Sequence, residues 1–209
     1  MFGVDIITDA DVRVPNSIDT TRKIGWLNEV NNEFFDTVKI PATTTFQTNV
    51  DAQQKVLDTY TLTPTDIRTR NIIEVVVGTE RYRSVLFDRM LVPGSNYYEF
   101  DEATKTLKLI PAPPRAQLTG RVKYYRVSTV TFTTSNYTTA EPDAPKEFHW
   151  IYVLGLCARI AKAMQDVRLA QNFDVDYKNA LLIAQQNLNL SRPESPGQPQ
   201  IVQQADENR

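Results

Sequence analysis

The sequence predicts an α+β fold: a helical hub built from N- and C-terminal helices, an inserted antiparallel β-sandwich or barrel-like module, and a flexible C-terminal tail. Three observations predict it. Apolar residues recur at helical spacing towards both ends of the chain. Between them, short threonine- and aromatic-rich runs are separated by turn residues, which is strand grammar. The last stretch is rich in proline, glutamine and charge and is too poor in apolar residues to fold alone. The divisions fall at 1–42 for the N-terminal part of the hub, 43–132 for the β module, 133–190 for the C-terminal helices and 191–209 for the tail.

The N-terminal helix follows Val14-Pro15-Asn16-Ser17. Ile24, Leu27, Phe34, Phe35 and Val38 form its apolar stripe, Trp26 and Val30 widen it, and Asn31 is the polar exception on that face. Asn16, Ser17 and Asp19 are competent N-caps, because their side-chain oxygens accept from free first-turn amides. Termination is expected around Lys39-Ile40-Pro41, since a residue before proline is pushed out of the α region.

The β module opens with Thr44–Thr48 and Val56–Leu62. Ile72–Val77 and Tyr82–Phe87 flank Gly78-Thr79-Glu80 as a hairpin, and Tyr97–Phe100 pairs with Thr106–Ile110 across Asp101–Lys105. Pro111-Ala112-Pro113-Pro114 breaks the ladder, because proline has no amide hydrogen to donate. Gly120–Val127 then makes a longer strand. About seven short strands at this spacing suit a small antiparallel sandwich or barrel.

In the C-terminal part, Asp143-Ala144-Pro145 offers a capping aspartate with proline just inside the helix. The helix that follows, from Phe148 through Ala161, is apolar around most of its girth, more than one small helical layer needs. A further helical segment spans Val175–Leu190, joined by a turn or only a bend near Asn172-Phe173-Asp174.

The chain has 209 residues, with 41% hydrophobic, 10% aromatic and 23% charged residues, enough to bury a real core. A net charge of −2 gives no overall drive towards nucleic acid. No stretch approaches the roughly 20 apolar residues of a membrane span, and Met1–Asp5 lacks the pattern of a secretory signal. Cys157 is the single cysteine, in an apolar run where a buried, inert thiol is expected.

The inventory for catalysis is thin. His149 is the sole histidine, which rules out a histidine cluster for a metal, and it reads more readily as a packed helix residue than as a pH-responsive group. There is no nucleophile elbow and no glycine-rich phosphate loop. Asp174 and Asp176 do not share a helical face, and suit a helix N-terminus better than acid–base work. No enzyme and no cofactor are expected. Arg121-Val122-Lys123-Tyr124-Tyr125-Arg126 interleaves bases and aromatics as single-strand binders do, yet alternation also reads as a half-buried strand. Arg159, Lys162 and Arg168 are candidate channel-facing cations, with a solvated stripe as the simpler reading.

Several phrases resemble the bacteriophage head-to-tail connector adaptors, the superfamily of siphophage adaptors and of the tail tubular protein A and tail accessory factor types. They are Val14-Pro15-Asn16-Ser17 leading into Lys23–Phe35, Tyr60-Thr61-Leu62-Thr63-Pro64-Thr65-Asp66, Leu107–Pro113 followed by Val122–Val127, and Glu147–Ala161. The resemblance implies a dodecameric ring beneath the portal protein, with the helical part lining the DNA channel and touching its neighbours. It further implies a downstream tail or neck partner, transient non-specific contact with packaged DNA, and no membrane. The site would be the head–tail neck of the virion, with synthesis and assembly in the host cytoplasm. The implied portal-docking segment is the tail, with Arg192, Ile201 and Val202 as candidates. A different class of reading makes the β insertion a ligand- or carbohydrate-binding module, with Tyr60, Tyr82, Tyr97, Tyr98 and Tyr125 as stacking surfaces.

Overall fold

The computed structural model describes residues 1–85, 92 and 94–190, except for the side chains of Asn189 and Leu190. Candidate tail residues Arg192, Ile201 and Val202, and Leu86 and Phe87 of the second predicted hairpin strand, lie outside the described residues.

Among the described residues, four helices make the hub: α1 Gly3–Arg13, α2 Thr20–Val38, α3 His149–Ala163 and α4 Val167–Leu190. Helix α1 was not foreseen. Asp5 accepts from the Phe2 amide at 2.8 Å to stabilise its start, and Ile6, Ile7 and Ala10 bury its inner face. Of the three candidate caps for α2, Asp19 does the work, its carboxylate accepting from the Thr21 amide at 2.8 Å. Hydrogen bonding from the Thr21 side chain, and then from its amide, also holds the Asp19 carboxyl below its ordinary pKa. Helix α2 ends at Val38, where Lys39 turns left-handed at φ 57° ahead of Pro41, as the proline predicts.

The connection within the C-terminal part is a correction. Helix α4 runs unbroken through Asn172-Phe173-Asp174, and the chain reverses instead at Met164–Asp166, with Gln165 at φ 62°. Asp166 caps α4 by accepting from the Leu169 amide at 3.0 Å. Asp174 and Asp176 therefore sit inside a helix, and Asp174 pairs with Lys178 one turn on, at 2.6 Å.

Asp143 is a second correction, since it caps no helix. The chain before α3 makes a short 3₁₀ turn, Lys146–Phe148, with no side-chain cap. Asp143 instead accepts from Arg126 Nη2 at 3.1 Å, Ser128 Oγ at 2.8 Å and the Thr129 amide at 2.9 Å.

The girth of α3 is covered within the chain. Helices α1, α2 and α4 all pack on it, and ten of its residues, from His149 to Ala161, are buried. The apolar faces that one small helical layer would leave bare are covered within the chain by α1, which sequence reading missed, and by the α4 return. Phe34 stacks at 5.5 Å on Tyr152 and 6.2 Å on Phe148. Asn31, the polar exception, is fully used: it accepts from the Tyr152 hydroxyl at 2.8 Å and donates to Ser128 Oγ at 2.6 Å and to the Val130 carbonyl at 3.0 Å.

Among the described residues, seven strands form the module: β1 Pro41–Gln47, β2 Thr59–Thr61, β3 Ile72–Val77, β4 Glu80–Ser84, β5 Tyr97–Asp101, β6 Thr106–Ile110 and β7 Thr119–Tyr125. Their order is β1-β7-β3-β4-β5-β6-β2. Every pairing is antiparallel except β4 with β5, so the sheet is mixed. Both predicted hairpins are present, β3–β4 turning at Gly78 with φ +59° and β5–β6 across Glu102–Lys105. The sheet curls until β1 and β2 approach without pairing, and the Phe46 and Tyr60 rings meet there at 4.8 Å. Its core is a second hydrophobic cluster that includes Val75, Leu107, Leu109, Val122 and Tyr124.

Arg126 joins hub to module. Its amide donates to Ile40 at 3.0 Å, its guanidinium pairs with Asp66 at 3.3 Å and Asp143 at 3.1 Å, and it stacks over Phe35 at 5.5 Å.

Candidate interaction surfaces

An open groove of about 960 Å³ lies between α2, the end of α3 and the start of α4. Helical periodicity brings Trp26, Glu29 and Glu33 of α2 to one wall, while Arg159 and Lys162 line another from α3. Of the candidate channel cations, the groove gathers Arg159 and Lys162 but not Arg168.

Arg159 does not stand free. Its Nη2 donates to Glu33 at 2.8 Å, its Nε to Glu29 at 3.2 Å and its Nη1 to the Gly155 carbonyl at 3.1 Å. Burial works against its charge, but hydrogen bonds to Glu33 and Glu29 prevail and raise its pKa. The guanidinium also lies over Tyr177 at 5.9 Å. Burial, seconded by the Glu33 charge, pushes the Tyr177 hydroxyl pKa upward. Arg159 is therefore the electrostatic clasp between α2 and α3, and Lys162 and Arg168 are the exposed cations of the three. Exposed apolar residues, Val175 at 57%, Leu182 at 52% and Ile183 at 50%, mark the outer side of α4.

On the β module, the proposed stacking tyrosines are mostly spent on packing. Tyr60, Tyr82 and Tyr98 are buried because each faces the inside of the curled sheet, Tyr97 is buried on the opposite face of β5, and of the five only Tyr125 keeps partial exposure. Burial pushes the Tyr60 hydroxyl pKa up to about 12. In β7, Val122 and Tyr124 point inward while Arg121 and Lys123 point out, so the strand is half-buried as its alternation reads. Lys123 shares Glu74 with Arg81, each pair at 3.3 Å.

His149 is buried, its Nε2 placed 2.9 Å from the Ala144 carbonyl, which makes it a packed helix residue. Cys157 is buried against the Ala10 carbonyl, and burial pushes its thiol up to about 11. Among the described residues, no group of three or more His, Cys, Asp or Glu side chains is placed to hold a metal. Among them, too, no helix is long and apolar enough to cross a membrane.

The surfaces offered are thus a mixed-charge groove, an apolar outer strip on α4 and an open sheet seam. Sequence reading missed the groove's Glu29–Arg159–Glu33 bracket, for which the signal lay in two glutamates one helical turn apart on α2. Among known proteins, the family profile described as SU10 adaptor protein matches residues 4–199, which span both the hub and the module. No curated protein matches the chain.

Proposed function

The chain belongs to the SU10 adaptor protein family, phage structural adaptors, and from that premise we propose that it is a head-to-tail connector adaptor working as a ring between portal and tail. The observation that carries this reading is the extent of the match: residues 4–199 take in the helical hub and the β module together. A ring of identical subunits needs a heterologous interface that closes on rotation. The exposed strip of Val175, Leu182 and Ile183 supports α4 as one side of it. In a dodecamer stacked beneath the portal, the helical hub would line the DNA channel. Lys162 and Arg168 would meet DNA through phosphates only, because a conduit that gripped DNA would obstruct its passage. The tail, with Arg192, Ile201 and Val202, would dock on the portal, and a tail or neck protein would follow below.

Negative-stain microscopy of the purified chain with and without its portal protein tests this. Annular particles, alone or on the portal, are the expected result. A chain that stays monomeric and ignores the portal overturns the reading.

A further inference from the structure

The seam of the β module is open in a particular way. Pairing across β1 and β7 runs in register from Pro41–Tyr125 to Gln47–Thr119. At its two ends, Arg126 donates to the Ile40 carbonyl at 3.0 Å and Thr48 donates to the Leu118 carbonyl at 2.9 Å. In an antiparallel ladder, hydrogen-bonded pairs alternate with non-bonded ones. Even-numbered Ala42, Thr44 and Phe46 therefore spend their backbone groups on β7. The backbone groups of Pro41, Thr43, Thr45 and Gln47 point the other way, to an edge that is free among the described residues.

Three features make this edge unusual. It has no charged residue in seven positions, whereas exposed edges are normally blunted by charge, bulges or brevity. Pro41 removes only the first donor, leaving the amides of Thr43, Thr45 and Gln47. The inner face is also under-filled: Ala42, Thr44 and Phe46 are only half-buried, while Gly120, Val122 and Tyr124 beside them on β7 are buried. An extended segment added here would satisfy the amides and cover that face at once.

We propose that residues 200–205 of this chain, Gln200-Ile201-Val202-Gln203-Gln204-Ala205, add to the free edge of β1 as an eighth strand. This stretch is uncharged like the edge it would meet, holds adjacent β-branched residues, and is bounded by Pro199 and Asp206. Alternation sends one of Ile201 and Val202 onto the half-buried face of Ala42, Thr44 and Phe46. Reach agrees. Helix α4 has 24 residues to the 15 of α3, and the two meet at the Met164–Asp166 reversal, so α4 overruns the start of α3. That start lies at the junction where Phe148 meets Phe34 and Asp143 meets Arg126, the end of the hub from which β1 departs. Residues 191–199 then span up to about 30 Å when extended. Residues 200–209 lie beyond the family match. Docking of the same residues on a portal would require the strand to leave β1.

Amide exchange on the purified full chain, with no portal present, tests the proposal. The amides of Thr43, Thr45 and Gln47 are expected to exchange roughly tenfold or more slowly than in a chain ending at Pro199. A synthetic peptide of residues 198–206 added to the shortened chain restores the protection, and Val202→Asp in the full chain removes it. Thr44 and Phe46, bonded to β7, stay protected throughout and report that the module is folded. Equal, fast exchange of the three edge amides in full and shortened chains overturns the proposal. A chain that forms no ring but shows this protection separates it from the connector reading.

Discussion

The ring of Phe46 lies over Gly120, its cross-strand partner, so closely that a Cβ at Gly120 would sit 2.2 Å from the ring's Cζ. The same ring meets Tyr60 at 4.8 Å, so a single side chain covers a bare stretch of β7 and bridges the two free edges of the sheet. Gly120→Ala must displace that ring, at a cost of about 1–3 kcal/mol. Phe46→Ala is expected to destabilise by a comparable or larger amount. Because both act on one contact, the double variant should cost less than the sum of the two. Urea denaturation of the four proteins checks this, and strict additivity would show that the contact is energetically idle.

Gly155 sits where α2, α3 and α4 cross. A Cβ there would lie 2.9 Å from Tyr177 Cε2 and 2.9 Å from Val30 Cγ2. Gly155→Ala should therefore lower stability by about 1–3 kcal/mol despite its better helix propensity, and Gly155→Leu should prevent the three helices from closing. Val30→Ala makes room and should recover part of the loss in the Gly155→Ala protein. Thermal denaturation decides it, and an unchanged or higher Tm for Gly155→Ala would mean the crossing has slack.

Much of this was legible because short-range patterns report short-range physics. The stripe from Ile24 to Val38 locates α2, and Gly78 and the Asp101–Lys105 stretch locate two turns. The failures lie where partners are distant in sequence. Asp143 reads as a cap from its neighbours alone, but Arg126, Ser128 and Thr129 claim its carboxylate first. The α3–α4 reversal uses Gln165 in a left-handed conformation that no glycine announces, so Asn172-Phe173-Asp174 looked more turn-like than the true break. Helix α1 carries its signal in Ile6, Ile7, Ala10 and Val14, yet an 11-residue helix is marginal alone and forms because α3 covers it. The charged groove was invisible for the same reason: Arg159 stands over 120 residues from both Glu29 and Glu33 in sequence.

Asp143 gives a prediction about how hub and module are held together. Its carboxylate, with a side chain 14% exposed, organises Arg126, Ser128 and Thr129 at the junction. Asp143→Ala strands the Arg126 guanidinium beside Asp66 alone and removes the acceptor for the Thr129 amide. A loss of about 2–4 kcal/mol is expected, more than for an exposed ion pair. Asp143→Asn keeps one acceptor oxygen and should lose less. Limited proteolysis between 126 and 145 reports the junction directly: faster cleavage in Asp143→Ala is the expected outcome, and an unchanged rate with unchanged Tm would remove Asp143 from this role.

The thiol of Cys157 supplies a prediction in pH. Burial raises it from its ordinary value near 9 to about 11 in the folded chain. Between those values the folded chain keeps a proton that the unfolded chain releases, so the unfolded state gains with rising pH. This contribution to stability is fully present below pH 9 and is lost progressively towards pH 11. Buried Tyr60, pushed up to about 12, adds to the same decline at higher pH. Cys157→Ala should flatten the fall of Tm between pH 9 and 11 without changing its sign, since the tyrosine remains. The same burial makes the native thiol unreactive: a thiol-exchange reagent at pH 8 should label it only as fast as the hub opens, and labelling should accelerate in urea. Rapid stoichiometric labelling of the folded protein at pH 8 would mean that the α1–α3 contact over Cys157 is open in solution.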